Sequence, residues 1–278
     1  MDIKELKTLE DGTIYVTRSM KPEDEAHLDK MFPRIKGEKR WHPVPDALKY
    51  KNLIPKRIYR ELDYFSGPVS DRAERIIIVC AGPSLRDFDW SILDGLDQSI
   101  KIMSVNYTLP KLPRADFWFT CDKEIAMHFE HKKEGCKFYC VSCVAEKIVL
   151  KIPTSMPDGV HIMDRVPNLT EDNVAEFGFA DDQKSVTGFD SGFCAINLAI
   201  YMKAKKIAVL GFDCGGSENW CGDSLRPWLH RCGVKMTFRA AEQSREWGVE
   251  IVNGSMTSAC HDWQHMVPKD AITWIRKD

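Results

Sequence analysis

The chain has 278 residues, 44% of them apolar, with 39 Lys and Arg against 41 Asp and Glu for a formal net charge of −2. That length buries a real core in one large α/β domain, or in one domain with an appendage, and the near balance of charge argues neither for nor against a polyanionic partner. No run of about 18 apolar residues is present, so no membrane span is expected, and the charged stretch Met1–Gly12 lacks the apolar core of a secretory signal. Several of the ten cysteines (Cys80, Cys121 and Cys194 among them) sit inside apolar runs. Buried free thiols there behave as small hydrophobes, and a cytoplasmic location with reduced cysteines is expected.

Residues 1–73 read as an irregular N-terminal extension, with scattered prolines and no strand period. Between Arg34 and Arg60 nine Lys and Arg face only Glu38 and Asp46, with Trp41, Tyr50 and Tyr59 interleaved. Such a basic segment suits an anionic acceptor or a nucleic acid. A solvated face is the commoner use of a charge run and is preferred here.

From residue 74 to 278 the pattern becomes regular, and this stretch reads as one α/β domain. Arg75–Cys80 is an unbroken aliphatic strand of the kind covered by helices on both faces. It runs into the turn Gly82-Pro83-Ser84, with Ser84 placed to cap a helix over 88–96. Strands follow at 100–105 (ending at Asn106), 115–121 (ending at Asp122), 137–143 and 160–163, with a helix from Asp122 to about His131. A helix over 188–204 begins at Asp190-Ser191-Gly192, where Ala195, Leu198, Ala199 and Met202 recur at helical spacing. The strand 206–210 ends in Gly211-Phe212-Asp213; a helix over 235–247 and a strand over 249–252, ending at Asn253, complete the alternation. Strands alternating with helices predict a doubly wound, mostly parallel α/β sheet.

In such a sheet the ligand lies outside the carboxyl ends of the strands. Those ends are small or polar: Gly82, Pro83, Ser84, Asn106, Asp122, Gly211, Asp213 and Asn253. Each polar one can hydrogen-bond a sugar or a base, and the helix starts after Gly82 and at Ser191 offer amide groups to an anion. Trp118, Trp220 and Trp228 could stack on a base or serve the core. Two metal patterns compete with this picture. Cys136, Cys140 and Cys143 have the C-x3-C-x2-C spacing of cluster-binding radical enzymes, but a strand through CKFYCVSC points the third cysteine away from the other two. Cys214, Cys221, His230 and Cys232 have zinc-ligand chemistry at irregular spacing. Neither is adopted, and no metal ligand is assigned in the leading reading.

The ordered set Gly82-Pro83-Ser84-Leu85, Asn106, Ala115-Asp116, Asp122, Ser191-Gly192 and Gly211-Phe212-Asp213 resembles the motility-associated-factor and hydroxymethylpterin-diphosphokinase-like proteins over roughly residues 74–255. It is also similar to the bacterial sialyltransferases that use CMP-sialic acid. The resemblance implies a Rossmann-like transferase in which Gly82, Pro83, Ser84, Asn106, Ser191 and Gly192 bind the nucleotide; Asp122, Asp213 and Asn253, at the other strand ends, are expected to contact substrate, the two aspartates orienting sugar or ribose hydroxyls. A histidine downstream of Gly211-Phe212-Asp213 would be the general base; His230 is the candidate by position, with His261 behind it. A histidine suits that task because its ordinary pKa lies near neutrality. The sialyltransferases carry Asn directly before Gly-Pro-Ser, and this chain has Ala81, closer to the motility-factor and pterin-kinase branch.

The leading expectation is a glycosyltransferase-like enzyme moving a sugar, with nonulosonic acids among the candidates, from a nucleotide-sugar donor to a hydroxyl acceptor. A CMP-sugar is the favoured partner, an anionic acceptor is allowed, and no cofactor is required. The alternatives are an ATP-dependent hydroxymethylpterin diphosphokinase, which needs Mg²⁺ on Asp122 or Asp213, and a non-catalytic binder of nucleotides or polyanions.

Overall fold

The structure is a computed structural model that describes residues 69–122, 133–141, 160–166, 173, 176–188, 190–215 and 227–277, together with three short strands nearer the N-terminus. The chain divides into two units, one of residues 1–65 with 145–158 and the other of residues 66–144 with 159–278. In the first, β1 (Leu6–Thr8), β2 (Ile14–Val16) and β3 (Arg40–Trp41) form an antiparallel sheet in the order β1-β2-β3. Most of the basic stretch 34–60 lies outside the described residues.

The second unit is built on β4 (Arg75–Val79), β5 (Ile100–Val105), β6 (Phe117–Thr120), β7 (Lys137–Val141), β8 (Val160–Arg165), β9 (Ser185–Val186), β10 (Lys206–Leu210), β11 (Glu250–Asn253) and β12 (Gln264–His265). These nine strands pair in the order β12-β11-β10-β4-β5-β6-β7-β8-β9, and every pairing is parallel. Successive strand side chains point to opposite faces, and Ile76, Ile77, Ile78 and Val79 are all fully buried. Both faces of the sheet centre are therefore covered, which is why the run reads as continuously apolar rather than alternating.

Among the described residues, three helices cover it: α1 (Ser191–Tyr201), α2 (Pro227–Glu246) and α3 (Pro268–Arg276). Ten of the eleven α1 residues are buried, so this helix is core all round rather than amphipathic. The α3 helix buries only Ala271, Ile272 and Ile275. No helix among the described residues is long and apolar enough to cross a membrane.

The strand order reverses between β4 and β10, since β5 onward build one side and β10 onward the other. In an open parallel sheet that reversal leaves a crevice at the carboxyl ends, because the two flanking loops depart in opposite directions. Beside it, Thr108 pins the ends of β4 and β5: its buried hydroxyl lies 3.0 Å from Val79 O and 3.2 Å from Val105 N.

Several elements depart from the sequence expectation. The stretch 88–96 is no α-helix but one 3-10 turn, Trp90–Leu93, capped by Asp89 through Ser91 N. Gly95, at φ +67°, ends it. Ser84 is not a cap either: Gly82 holds that position before the 3-10 turn Pro83–Leu85, with no side-chain cap bond. The α2 helix begins eight residues before the expected 235. Neither α3 nor the edge strand β12 was expected. The helix expected after Asp122 falls outside the described residues, as do Cys143, Cys221 and Trp220.

Candidate functional site

Two hydrogen-bonded groups occupy the carboxyl edge of the sheet. The first joins the loops after β4 and β10 across the reversal point. Gly82 N–H donates to Gly211 O at 2.9 Å and Ser84 N–H donates to Asp213 Oδ2 at 2.7 Å. The approach is possible only because residue 82 has no side chain: a Cβ there would lie 2.3 Å from Gly211 O and 2.4 Å from Asp213 Oδ2. Gly211 itself adopts φ +69°, the left-handed turn that swings Asp213 back over the β4 loop. Beneath this clasp Asn253, fully buried, donates from Nδ2 to Phe212 O at 3.0 Å, and Ser258 Oγ donates to the same carbonyl at 2.8 Å.

Three side-chain atoms of this group are buried without a hydrogen-bond partner: Ser84 Oγ, Asp213 Oδ1 and Asn253 Oδ1. Buried polar groups are nearly always paired, so three orphans in one locality mark a place that a polar ligand or ordered water completes.

The second group gathers the ends of β5 and β6 with the start of α1. Asn106, in the left-handed conformation at φ +56°, donates from Nδ2 to Asp122 Oδ2 at 3.0 Å and accepts from Thr120 Oγ1 at 2.9 Å. Its backbone carbonyl accepts from Trp118 Nε1 at 2.9 Å. Ser191 Oγ accepts from Cys121 N at 3.0 Å and lies 3.4 Å from Asp122 Oδ2. Asp122 is exposed, so the group opens to solvent there. Gly192 lets α1 reach across to the first group, since a Cβ would meet the Phe212 ring at 2.8 Å and Cys80 Sγ at 3.0 Å.

The first turn of α1 thus bridges both groups. Its amides, however, are not open to an anion as the sequence implied. Asp190 caps the helix, accepting from Phe193 N at 2.8 Å. Burial pushes the Asp190 carboxyl above its ordinary pKa, against the pull of the Phe193 amide and of the Arg165 charge. Arg165, at the end of β8, donates from Nε and Nη2 to Gly188 O at 2.9 and 2.6 Å. The Cys80 thiol is pushed up by burial and by the nearby Asp190 and Asp213 charges. Both amide positions proposed for an anion, at Ser84 and at α1, are thus filled by the protein's own carboxylates.

Gly82, Ser84, Asp213 and Asn253 fall in the first group, with Pro83 opening its 3-10 turn, while Asn106, Asp122, Ser191 and Gly192 fall in or under the second. His230 lies in the first turn of α2, one turn before Gly233, where a Cβ would meet Cys214 Sγ at 3.0 Å and Asp190 Oδ2 at 3.5 Å. The His230 side chain lies outside the described residues, as does that of Trp228. Trp118 is core, 2% exposed and stacked on Phe138 at 4.5 Å. Cys136 and Cys140 are buried in and beside β7, and no cluster of three metal-ligating side chains occurs among the described residues. Sequence reasoning missed Thr120 and Arg165 as site residues and assigned Asp190 only as part of a helix start. Thr120 does carry a signal, being a polar residue at the end of an aromatic strand.

These features define a Rossmann-like α/β domain with a polar crevice at its strand-order reversal. Residues 50–219 match the family described as 6-hydroxymethylpterin diphosphokinase MptE-like. The chain belongs to that family, and the matched stretch runs from before β4 through the clasp and stops short of α2. No protein of curated function matches the chain. Among solved structures it is similar to the MAf glycosyltransferase from Magnetospirillum magneticum AMB-1, with a TM-score of 0.50 and 13% identity over 76% of this chain. The match spans 38% of the length of that protein, so the likeness is one of fold.

Proposed function

We propose that the chain is a nucleotide-dependent transferase, and that the group it moves is a sugar carried by a nucleotide donor. The observation that supports this is the pair of polar groups spanning the crevice, one exposed at Asp122 and the other holding three unpartnered buried atoms. The strands β10 and β6 are separated by β4 and β5. At about 4.8 Å per strand their ends stand roughly 14 Å apart. An extended ligand with a nucleoside at one end and a transferable group at the other suits that separation. The family match and the glycosyltransferase fold neighbour both point to transfer chemistry, although a fold alone carries no function.

In this reading Ser84 Oγ donates to the phosphate, because the Ser84 amide is already committed to Asp213. Asn106 and Ser191 hold the nucleoside side through the Asp122 network, and Gly192 keeps α1 close enough for Ser191 to reach. Asp122 and Asp213 orient hydroxyls of ribose or sugar, and Asn253 fixes the Phe212 carbonyl beneath them. His230 takes the proton from an acceptor hydroxyl as that oxygen attacks the anomeric carbon and the nucleotide leaves. No metal is needed, since the departing phosphate keeps a hydrogen-bond donor. A CMP-sugar is the preferred donor and the acceptor bears a free hydroxyl.

The second reading, pyrophosphate transfer from ATP to a hydroxymethylpterin, is favoured by the family description. It needs Mg²⁺, and the residues fit that ion in one respect. Mg²⁺ is commonly held by one or two carboxylates plus substrate phosphates, so Asp213, with Oδ1 unpartnered, or Asp122 can serve as a single protein ligand. Incubating the protein with CMP-, UDP- and GDP-sugars, and separately with ATP, Mg²⁺ and hydroxymethylpterin, decides between the two. Release of free nucleotide from a sugar donor without metal supports the first; AMP formed with Mg²⁺ and pterin supports the second. No turnover of either substrate set, while nucleotide still binds, leaves only a non-catalytic binder.

A further inference from the structure

The loops after β10 and β11 run beside each other just past the clasp. Ala259 N–H donates to Asp213 O at 2.8 Å and Ser258 Oγ to Phe212 O at 2.8 Å, which brings together the residues that directly precede Cys214 and Cys260 on the two loops. Cys260 lies near enough to be the first cause of the upward push on the Cys214 thiol. Cys260 is fully buried, and its carbonyl lies 2.7 Å from His265 Nε2. Cys214 is partly exposed and adopts φ +47°, a conformation uncommon for any residue but Gly, Asn or Asp. Cys194 also pushes the Cys121 thiol up, but both of these cysteines are buried, so a reagent has no path to them.

We propose that Cys214 and Cys260 form a site of reversible disulfide formation, closed by exchange with a small-molecule disulfide of the glutathione type. The exposure difference sets the order of events. The Cys214 thiolate attacks one sulfur of the small disulfide and expels the other half as a thiolate. The Cys260 thiolate then attacks Cys214 Sγ in the mixed disulfide and expels the second half. The two thiol protons end on the two released thiolates, so one small disulfide is reduced to two thiols as one protein disulfide forms. The bond would tie the backbone at 213–214, which carries the Asp213 carboxylate, to the loop at 259–260. Contact with Cys260, burial and the Asp190 charge all push the Cys214 thiol pKa up. Exchange is therefore slow at neutral pH and accelerates as the solution becomes alkaline.

The test is incubation of the folded full chain with oxidised glutathione at mildly alkaline pH, acid quench, alkylation of remaining thiols and peptide mass spectrometry. The expected result is a linked peptide pair carrying Cys214 and Cys260, lost on adding dithiothreitol. Cys260→Ser should trap a stable glutathione adduct on Cys214, and Cys214→Ser should leave Cys260 unmodified. A wild-type chain that keeps glutathione on Cys214 without forming the link overturns the proposal. So does an unmodified Cys214, or a link between other cysteines.

Discussion

The Ser84 amide and the Asp213 carboxylate, 129 residues apart in the chain, meet at 2.7 Å across the point where the strand order reverses. One Asp213 oxygen closes the turn after β4 and the other is left buried and unpaired. Asp213→Ala removes a charge-assisted bond and strands the Ser84 amide, which should cost about 2 kcal/mol in urea unfolding. Asp213→Asn keeps an acceptor in place and should cost less than half of that.

Gly82→Ala tests the clasp from the opposite side. The backbone at residue 82, with φ −65°, suits alanine. The cost is therefore steric and arises from the new Cβ against Gly211 O and the Asp213 carboxylate. A loss of about 2 kcal/mol is expected, in the range of overpacking, together with weakened nucleotide binding. A neutral Gly82→Ala would show that the two loops are free to separate.

At Asn106 the side chain and the backbone can be tested separately. Asn106→Ala loses the bonds to Asp122 and Thr120 and also places alanine at φ +56°, which costs about 1 kcal/mol more than the lost bonds alone. Asn106→Gly loses the same bonds without the backbone strain. Both should weaken nucleotide binding by about tenfold or more, while calorimetric melting should show Asn106→Gly as the more stable of the two.

Asp71 supplies a pH dependence away from the crevice. Burial alone would raise its pKa, but bonds from Lys137 and Tyr139 outweigh burial and hold it below the ordinary value. A depressed carboxyl contributes stability that is present above its unfolded pKa and is lost as pH falls through the folded value. Asp71→Asn should therefore lower stability by about 1 kcal/mol at neutral pH. The gap to wild type should close in acid, as followed by urea unfolding across the acid range.

The strands were legible because covered parallel strands are short aliphatic runs, as Ile76–Val79 and Ile207–Leu210 show. Their polar ends could be read for the same reason. The stretch 88–96 misled because Leu93 and Leu96 lie three apart as on a helix, yet the left-handed Gly95 stops the turn between them. The α3 helix had a readable start at Pro268 and a stripe of Ala271, Ile272 and Ile275. What the sequence could not carry was pairing at long range. Nothing local to Ser84 says that its amide will meet Asp213, whereas the Asp190 cap on α1 is a local contact that an Asp directly before a helix signals.

The central claim is that the crevice binds a nucleotide, and a thermal-shift panel tests it most directly. CMP, UDP, GDP, ADP, ATP and a hydroxymethylpterin would each be added at millimolar concentration, with and without Mg²⁺, to wild type and to Asn106→Gly. A ligand that binds only the folded chain raises its melting temperature by mass action. The account predicts a rise with CMP or another nucleotide of the sugar-donor class, independent of Mg²⁺ and reduced in Asn106→Gly. A rise only with ATP and Mg²⁺ would shift the reading to the diphosphokinase. No rise with any nucleotide would contradict the claim.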